Sequence, residues 1–199
     1  MRILFQGDSI TDAGSYGKEY PNLTGYTAYT AELIGEGHEY INRGISGNRA
    51  VDVLDRYDRD ILDVRPDIMT MLIGINDVWR RFDSGLYESA ETYGEYLREI
   101  LKKTREDLPD TKIILMEPYL LPAPDKKYFR PALAEFIEVA RDIAVEYADA
   151  YIPLDGLFAL ERMTTPWEEL SADGVHPNIY GVQRIADVLT EKIRSVLIG

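Results

Sequence analysis

The chain has 199 residues, 29% of them charged, no cysteine and a formal net charge of −13. That length suits one domain with its own core, or at most two small ones. The absence of cysteine excludes disulfides and thiolate ligands, and a chain this acidic offers no electrostatic footprint for nucleic acid or an anionic membrane. No apolar run approaches the ~18 residues of a membrane span, so the expectation is a soluble, cytoplasmic protein with an uncharged or weakly charged partner.

The first β-type run, Ile3–Gln6, begins so early that no secretory leader is expected before it, and Gly7-Asp8-Ser9-Ile10-Thr11-Asp12 follows at once. A serine just past a strand end can sit in a tight strand-to-helix turn, its hydroxyl toward a pocket and its N–H toward an oxyanion. An ordinary helix N-cap is the competing reading. A helix over Thr27–Ile34 and a strand over Glu39–Asn42 come next, and then Arg43-Gly44-Ile45-Ser46-Gly47-Asn48-Arg49. Its two glycines allow backbone N–H groups to approach a ligand closely, although a plain flexible loop reads the same way.

A helix is predicted over Val51–Leu62, and Ile68–Ile73 is an almost continuous apolar run of the kind a strand buried on both faces needs. Gly74-Ile75-Asn76-Asp77-Val78-Trp79-Arg80 follows it. Asn76 offers an amide donor at the mouth of the sheet, or the segment is simply a turn, where Gly and Asn-Asp are at home. From Ser89 to Asp107, Tyr93, Tyr96, Leu97, Ile100 and Leu101 make one helical stripe that Leu108-Pro109 ends. The strand Ile113–Glu117 opens onto Pro118–Pro131, four prolines among aromatic and basic residues, which reads equally as a substrate-side loop, an oligomer contact or a rigid connector. A helix then starts near Pro131, a strand covers Ala150–Ile152, and a last helix runs from Asn178 with apolar residues at 3.6-residue spacing. Basic clusters such as Arg56 with Arg59 and Arg80 with Arg81 are flanked by acids and read as solvated helix faces.

Strands alternating with helices imply a doubly wound α/β sandwich with a mostly parallel five-stranded sheet, in which ligands bind beyond the carboxyl ends of the strands. Three of the polar segments above fall there. A fourth, Asp173-Gly174-Val175-His176-Pro177, precedes the last helix. The spacing lets Asp173 reach one ring nitrogen of His176 while the other faces outward, which fixes the tautomer and stabilises an imidazolium. The other histidine, His38, has no such partner.

Taken together, the four segments resemble the SGNH, or GDSL-type, hydrolase family. Gly7-Asp8-Ser9 matches its nucleophile block, Ile45-Ser46-Gly47 its glycine block, Gly74-Ile75-Asn76-Asp77 its asparagine block and Asp173-Gly174-Val175-His176 its Asp-x-x-His block. The resemblance implies a flavodoxin-like three-layer fold, Ser9 as nucleophile, His176 as base and Asp173 as its orienter. It also implies an oxyanion hole from the N–H groups of Ser9 and Gly47 and the side chain of Asn76, Asp8 and Asp77 as structural hydrogen-bonders, and no metal or cofactor.

Val78-Trp79-Arg80 is similar to the carbohydrate acetylesterase branch. It implies an acetylated oligosaccharide as substrate, a small acyl pocket or sugar ring against Trp79, lesser contacts from Tyr26 and Arg80, and a homo-oligomer. The competing readings are a lysophospholipase or thioesterase on the same scaffold and a non-catalytic carbohydrate-binding protein. Metal-dependent phosphoester hydrolysis by Asp8, Asp12, Asp173 and His176 lacks a proper ligand set.

Overall fold

A computed structural model describes residues 1–198. Five strands form one parallel sheet: β1 (Arg2–Gly7), β2 (Glu39–Asn42), β3 (Ile68–Leu72), β4 (Lys112–Met116) and β5 (Ala150–Ile152), in the order β2-β1-β3-β4-β5. Every pairing is parallel, with Phe5 opposite both Asn42 and Thr70. The apolar runs predicted these strands to within a residue at each end. Buried on both faces, β3 and the apolar stretch of β4 are inaccessible to solvent, so helices must cover each side of the sheet.

The covering helices are α1 (Ser9–Asp12), α2 (Gly25–Ile34), α3 (Ala50–Asp55), α4 (Ile75–Asp83), α5 (Ala90–Asp107), α6 (Arg130–Tyr147), α7 (Leu154–Glu161), α8 (Trp167–Leu170) and α9 (Ile179–Ile198). The helix α2 packs against α9, while α5 packs against both α3 and α6, giving the three layers of a flavodoxin-like sandwich. Ser89 caps α5 by accepting the Thr92 N–H at 3.0 Å, and Pro131 sits in the first turn of α6. Among the described residues, no helix is long and apolar enough to cross a membrane.

Three sequence expectations need correction. The helix predicted over Val51–Leu62 is broken: α3 stops at Asp55 and a π turn covers Asp58–Leu62. The segment after β3, read as a donor at the mouth of the sheet or a turn, is the helix α4. Arg56, grouped with solvated cations, is only 8% exposed. Its guanidinium donates to Asn48 Oδ1 (2.8 Å), the Arg43 carbonyl (2.7 Å), Gln6 Oε1 (2.7 Å) and Asp60 Oδ2 (2.8 Å). Burial lowers its pKa and the Asp60 carboxylate opposes that, so this charge is paired and bonded as a buried ion must be.

In this strand order the chain leaves β1 toward β2 and then crosses back to β3, so the carboxyl ends of β1 and β3 flank the switch point. Ser9 follows one of these ends and Asn76 the other.

Candidate active site

Asp8 and Ser9 form the turn between β1 and α1. Asp8 is the N-cap, accepting the Ile10 N–H at 3.0 Å. Gly7 has no room for a side chain, since a Cβ there would lie 2.4 Å from the Leu72 carbonyl oxygen. The turn therefore lies tight against β3 and presents Ser9, which is half-buried, at the sheet's edge.

The Ser9 hydroxyl lies 2.9 Å from His176 Nε2, a contact spanning 167 positions of sequence. His176 Nδ1 is 2.8 Å from Asp173 Oδ2. With the proton on Nδ1, that nitrogen donates to Asp173 and Nε2 accepts from the serine. Asp173 Oδ1 accepts the N–H groups of Val175 (2.9 Å) and His176 (2.8 Å). Burial pushes the Asp173 carboxyl up, but the imidazole and these two amides outweigh it and hold it well below the usual carboxylate range. The bond to Asp173 raises His176 above its ordinary value, against a smaller effect of burial.

The histidine loop is braced from below. Buried Ser171 donates to the His176 carbonyl at 2.6 Å and accepts the Gly174 N–H at 2.9 Å. From the connection after β4, the Leu121 N–H donates to the Gly174 carbonyl and the Tyr119 hydroxyl to that of Val175, each at 2.8 Å. Gly174 adopts φ +85° with Leu121 and Ala123 pressed against it, a conformation and a space that only glycine fits.

Asn76, in the first turn of α4, is 4% exposed and donates its amide to the Asn48 carbonyl at 3.1 Å. Its carbonyl accepts from Arg80 at 3.4 Å, and Arg80 in turn pairs with Asp83. Among the described residues, the Asn48 carbonyl is the one acceptor of that amide. Gly47, exposed at φ +83°, precedes Asn48 on the loop that Asn76 grips. Ser46 ties that loop to α1 through Asp12, whose Oδ2 accepts both the Ser46 hydroxyl (2.6 Å) and its N–H (3.1 Å). Gly44 lies under it, where a Cβ would come within 2.5 Å of the Asp12 backbone nitrogen. Three separate connections thus meet at one rim.

Beside the imidazole stands Trp79, its ring centroid 6.3 Å from that of His176. Phe129 packs on it at 5.7 Å and the Lys126 ammonium sits 5.3 Å from its centre. The proline-rich connection therefore lies on the site's side of the molecule. Tyr26, expected as a substrate contact, is completely buried, with its hydroxyl 2.8 Å from Thr11 Oγ1, so it supports the Ser9 turn from beneath and reaches no substrate. His38 lies elsewhere, edge-on to Tyr40. Among the described residues, no group of three or more His, Cys, Asp or Glu side chains is placed to hold a metal. Asn48, Arg56, Ser171 and Lys126 are not among the candidate site residues of the sequence; the available signal for Arg56 is Asp60 four residues on, a spacing at which helical side chains pair.

Asp8 and Asp77 are both buried, and each has one oxygen with no partner. Burial raises Asp8 to about 7 and raises Asp77 as well, helped by the neighbouring Glu88. Since the folded state then holds protons that the unfolded chain releases near pH 4, stability falls as pH climbs from about 4 through the folded pKa values. Asp77→Asn keeps the oxygen that accepts the Ala50 N–H at 3.0 Å and removes the ionisation. Its melting temperature should gain on the wild type progressively between pH 5 and pH 9, as differential scanning calorimetry across that range would show.

A sheet of this order, with a hydroxyl, an imidazole and a carboxylate in line at its carboxyl edge, is the architecture of a carboxylic ester hydrolase. The chain belongs to the GDSL-like lipase/acylhydrolase family, whose model matches residues 5–184. It is 31% identical to an acetylxylan esterase of Geobacillus stearothermophilus over 96% of this chain and 93% of that one. The crystal structure of that enzyme superposes with a TM-score of 0.87 at 30% identity, covering 96% and 93% of the two chains. A GDSL-lipase-like protein from Parabacteroides merdae superposes with a TM-score of 0.88 at 36% identity, covering 96% and 94%.

Proposed function

We propose that this protein acts as a single domain that removes O-acetyl groups from carbohydrate, short acetylated xylo-oligosaccharides in particular, through an acyl-enzyme on Ser9. The observation that carries the reading is the unbroken line from Ser9 Oγ to His176 Nε2 at 2.9 Å and from His176 Nδ1 to Asp173 at 2.8 Å. Serine at its free pKa is a poor nucleophile. Here His176 takes its proton as Oγ attacks the acetyl carbonyl, and the resulting imidazolium is stabilised by Asp173. The same imidazolium then returns the proton to the departing sugar oxygen. Water, deprotonated by His176 in turn, attacks the acetyl-serine and releases acetate.

Negative charge on the carbonyl oxygen is met by the N–H groups of Ser9 and Gly47 and by the side-chain amide of Asn76. Arg80 and the Asn48 carbonyl hold that amide in one orientation, so it does not reorganise as charge develops. Trp79 limits the acyl side to a small group. Similarity to acetylxylan esterases over nearly the full chain supports the substrate class.

The test is acetate release followed by NMR on acetylated xylo-oligosaccharides, alongside rates on acetyl and octanoyl p-nitrophenyl esters. The acetyl ester should be strongly preferred; an equal or faster octanoyl rate would assign the scaffold to long-chain acyl substrates instead. Asn76→Ala should lower kcat by roughly 10²–10³ with a much smaller effect on KM, because the lost donor acts on charge present only in the transition state.

A further inference from the structure

Outward from the imidazole, aromatic rings continue beyond anything the reaction needs. Trp79 and Phe82 lie three residues apart on α4 and so share one face of it. Phe129 packs against Trp79 at 5.7 Å and stacks on Phe82 at 4.8 Å, with only 11° between the latter two planes. Tyr128 stands edge-on to both, 5.0 Å from Phe82 and 4.8 Å from Phe129. Phe129 is buried, whereas Phe82 is 45% and Tyr128 54% exposed. Large aromatic side chains left in solvent beside a reaction centre forgo a substantial hydrophobic gain. Of the cations beside these rings, Lys126 is matched by Asp125 and Arg80 by Asp83.

We propose that Phe82 and Tyr128, continuing from Trp79, form a binding subsite for the pyranose rings that flank the acetylated sugar. A pyranose suits this surface because its C–H faces are apolar and lie flat on an aromatic ring, its hydroxyls stay in water, and it carries no charge. The continuity of the rings with the His176 imidazole points to the substrate itself as the occupant rather than a separate partner. The inference rests on the carbohydrate esterase reading but concerns binding, and binding can be measured without turnover.

The test compares wild type with Phe82→Ala and Tyr128→Ala in two measurements. In calorimetric titration with unacetylated xylotetraose, each variant should lose about tenfold in affinity, a change of about 1.4 kcal/mol. In kinetics, kcat/KM on acetylated xylotetraose should fall about as much through KM, while p-nitrophenyl acetate, which has no glycan, is turned over as by the wild type. Unaltered affinity in both variants overturns the proposal. So does an equal loss on both esters accompanied by a fall in mass by light scattering, which would make the patch a contact between copies of this chain. If xylotetraose binds and is weakened by the substitutions but its acetylated form is not hydrolysed, the subsite stands and the esterase reading falls.

Discussion

Replacing Ser9 with alanine is expected to lower kcat on acetylated xylo-oligosaccharides by roughly 10⁴–10⁶, the range seen when a serine nucleophile is removed and only donors and binding remain. The change deletes one oxygen at a half-buried position whose backbone does the structural work of the turn. Asp8 still caps α1 and Gly7 still meets Leu72, so circular dichroism and melting temperature should match the wild type. The variant should still bind oligosaccharide, which makes it the reagent for separating binding from turnover. Acetate release at wild-type rate by a verified Ser9→Ala preparation would remove this residue from the mechanism.

Asp173→Asn is expected to cost about 10⁴ in kcat/KM for a reason visible in the loop. The carboxylate gives one oxygen to the amides of Val175 and His176 and the other to the imidazole. In the variant the amide oxygen keeps the two backbone bonds, which turns the NH₂ group toward His176 Nδ1. That nitrogen must then accept, the proton moves to Nε2, and the base can no longer take the serine's proton. The pH profile carries a second signature. Rate requires a neutral imidazole, and Asp173 raises the His176 pKa above its ordinary value, so the wild-type activity should climb with pH along a limb placed above about 6.5. In Asp173→Asn the residual activity should show that limb displaced to lower pH. Steady-state rates between pH 5 and pH 9 measure both effects.

What could be read in the sequence, and what could not, divides along the range of the interactions. The strands β3 and β4 were the most legible because they are buried on both faces and therefore written as nearly unbroken apolar runs. The candidate site was legible because a strand-end serine, a glycine loop, a strand-end asparagine and an Asp-x-x-His loop each have a local signature. The helix α4 was not, because Gly74-Ile75-Asn76-Asp77 has the composition of a turn, and only burial of Ile75 and Val78 makes it helical. Tyr26 misled through closeness to the motif in sequence, which says nothing about exposure. Arg56 was misjudged because its partners Gln6, Arg43 and Asn48 come from distant segments, and no periodicity records such pairings. The aromatic run has no sequence signature for the same reason: Phe82 and Tyr128 are 46 positions apart, and the composition of the proline-rich connection does not encode where it packs.

The contact between Ser9 and His176 joins residues 167 positions apart, and this bears on how activity arises in time. A ribosome-bound chain exposes Ser9 167 residues before the imidazole of His176, which can join it only once β4 has settled against its neighbours to brace the loop. A chain in which that loop has not yet docked carries a hydroxyl without its base. Hydrolysis thereby depends on a long-range contact, and recovery of turnover after dilution from denaturant should lag behind recovery of helical signal.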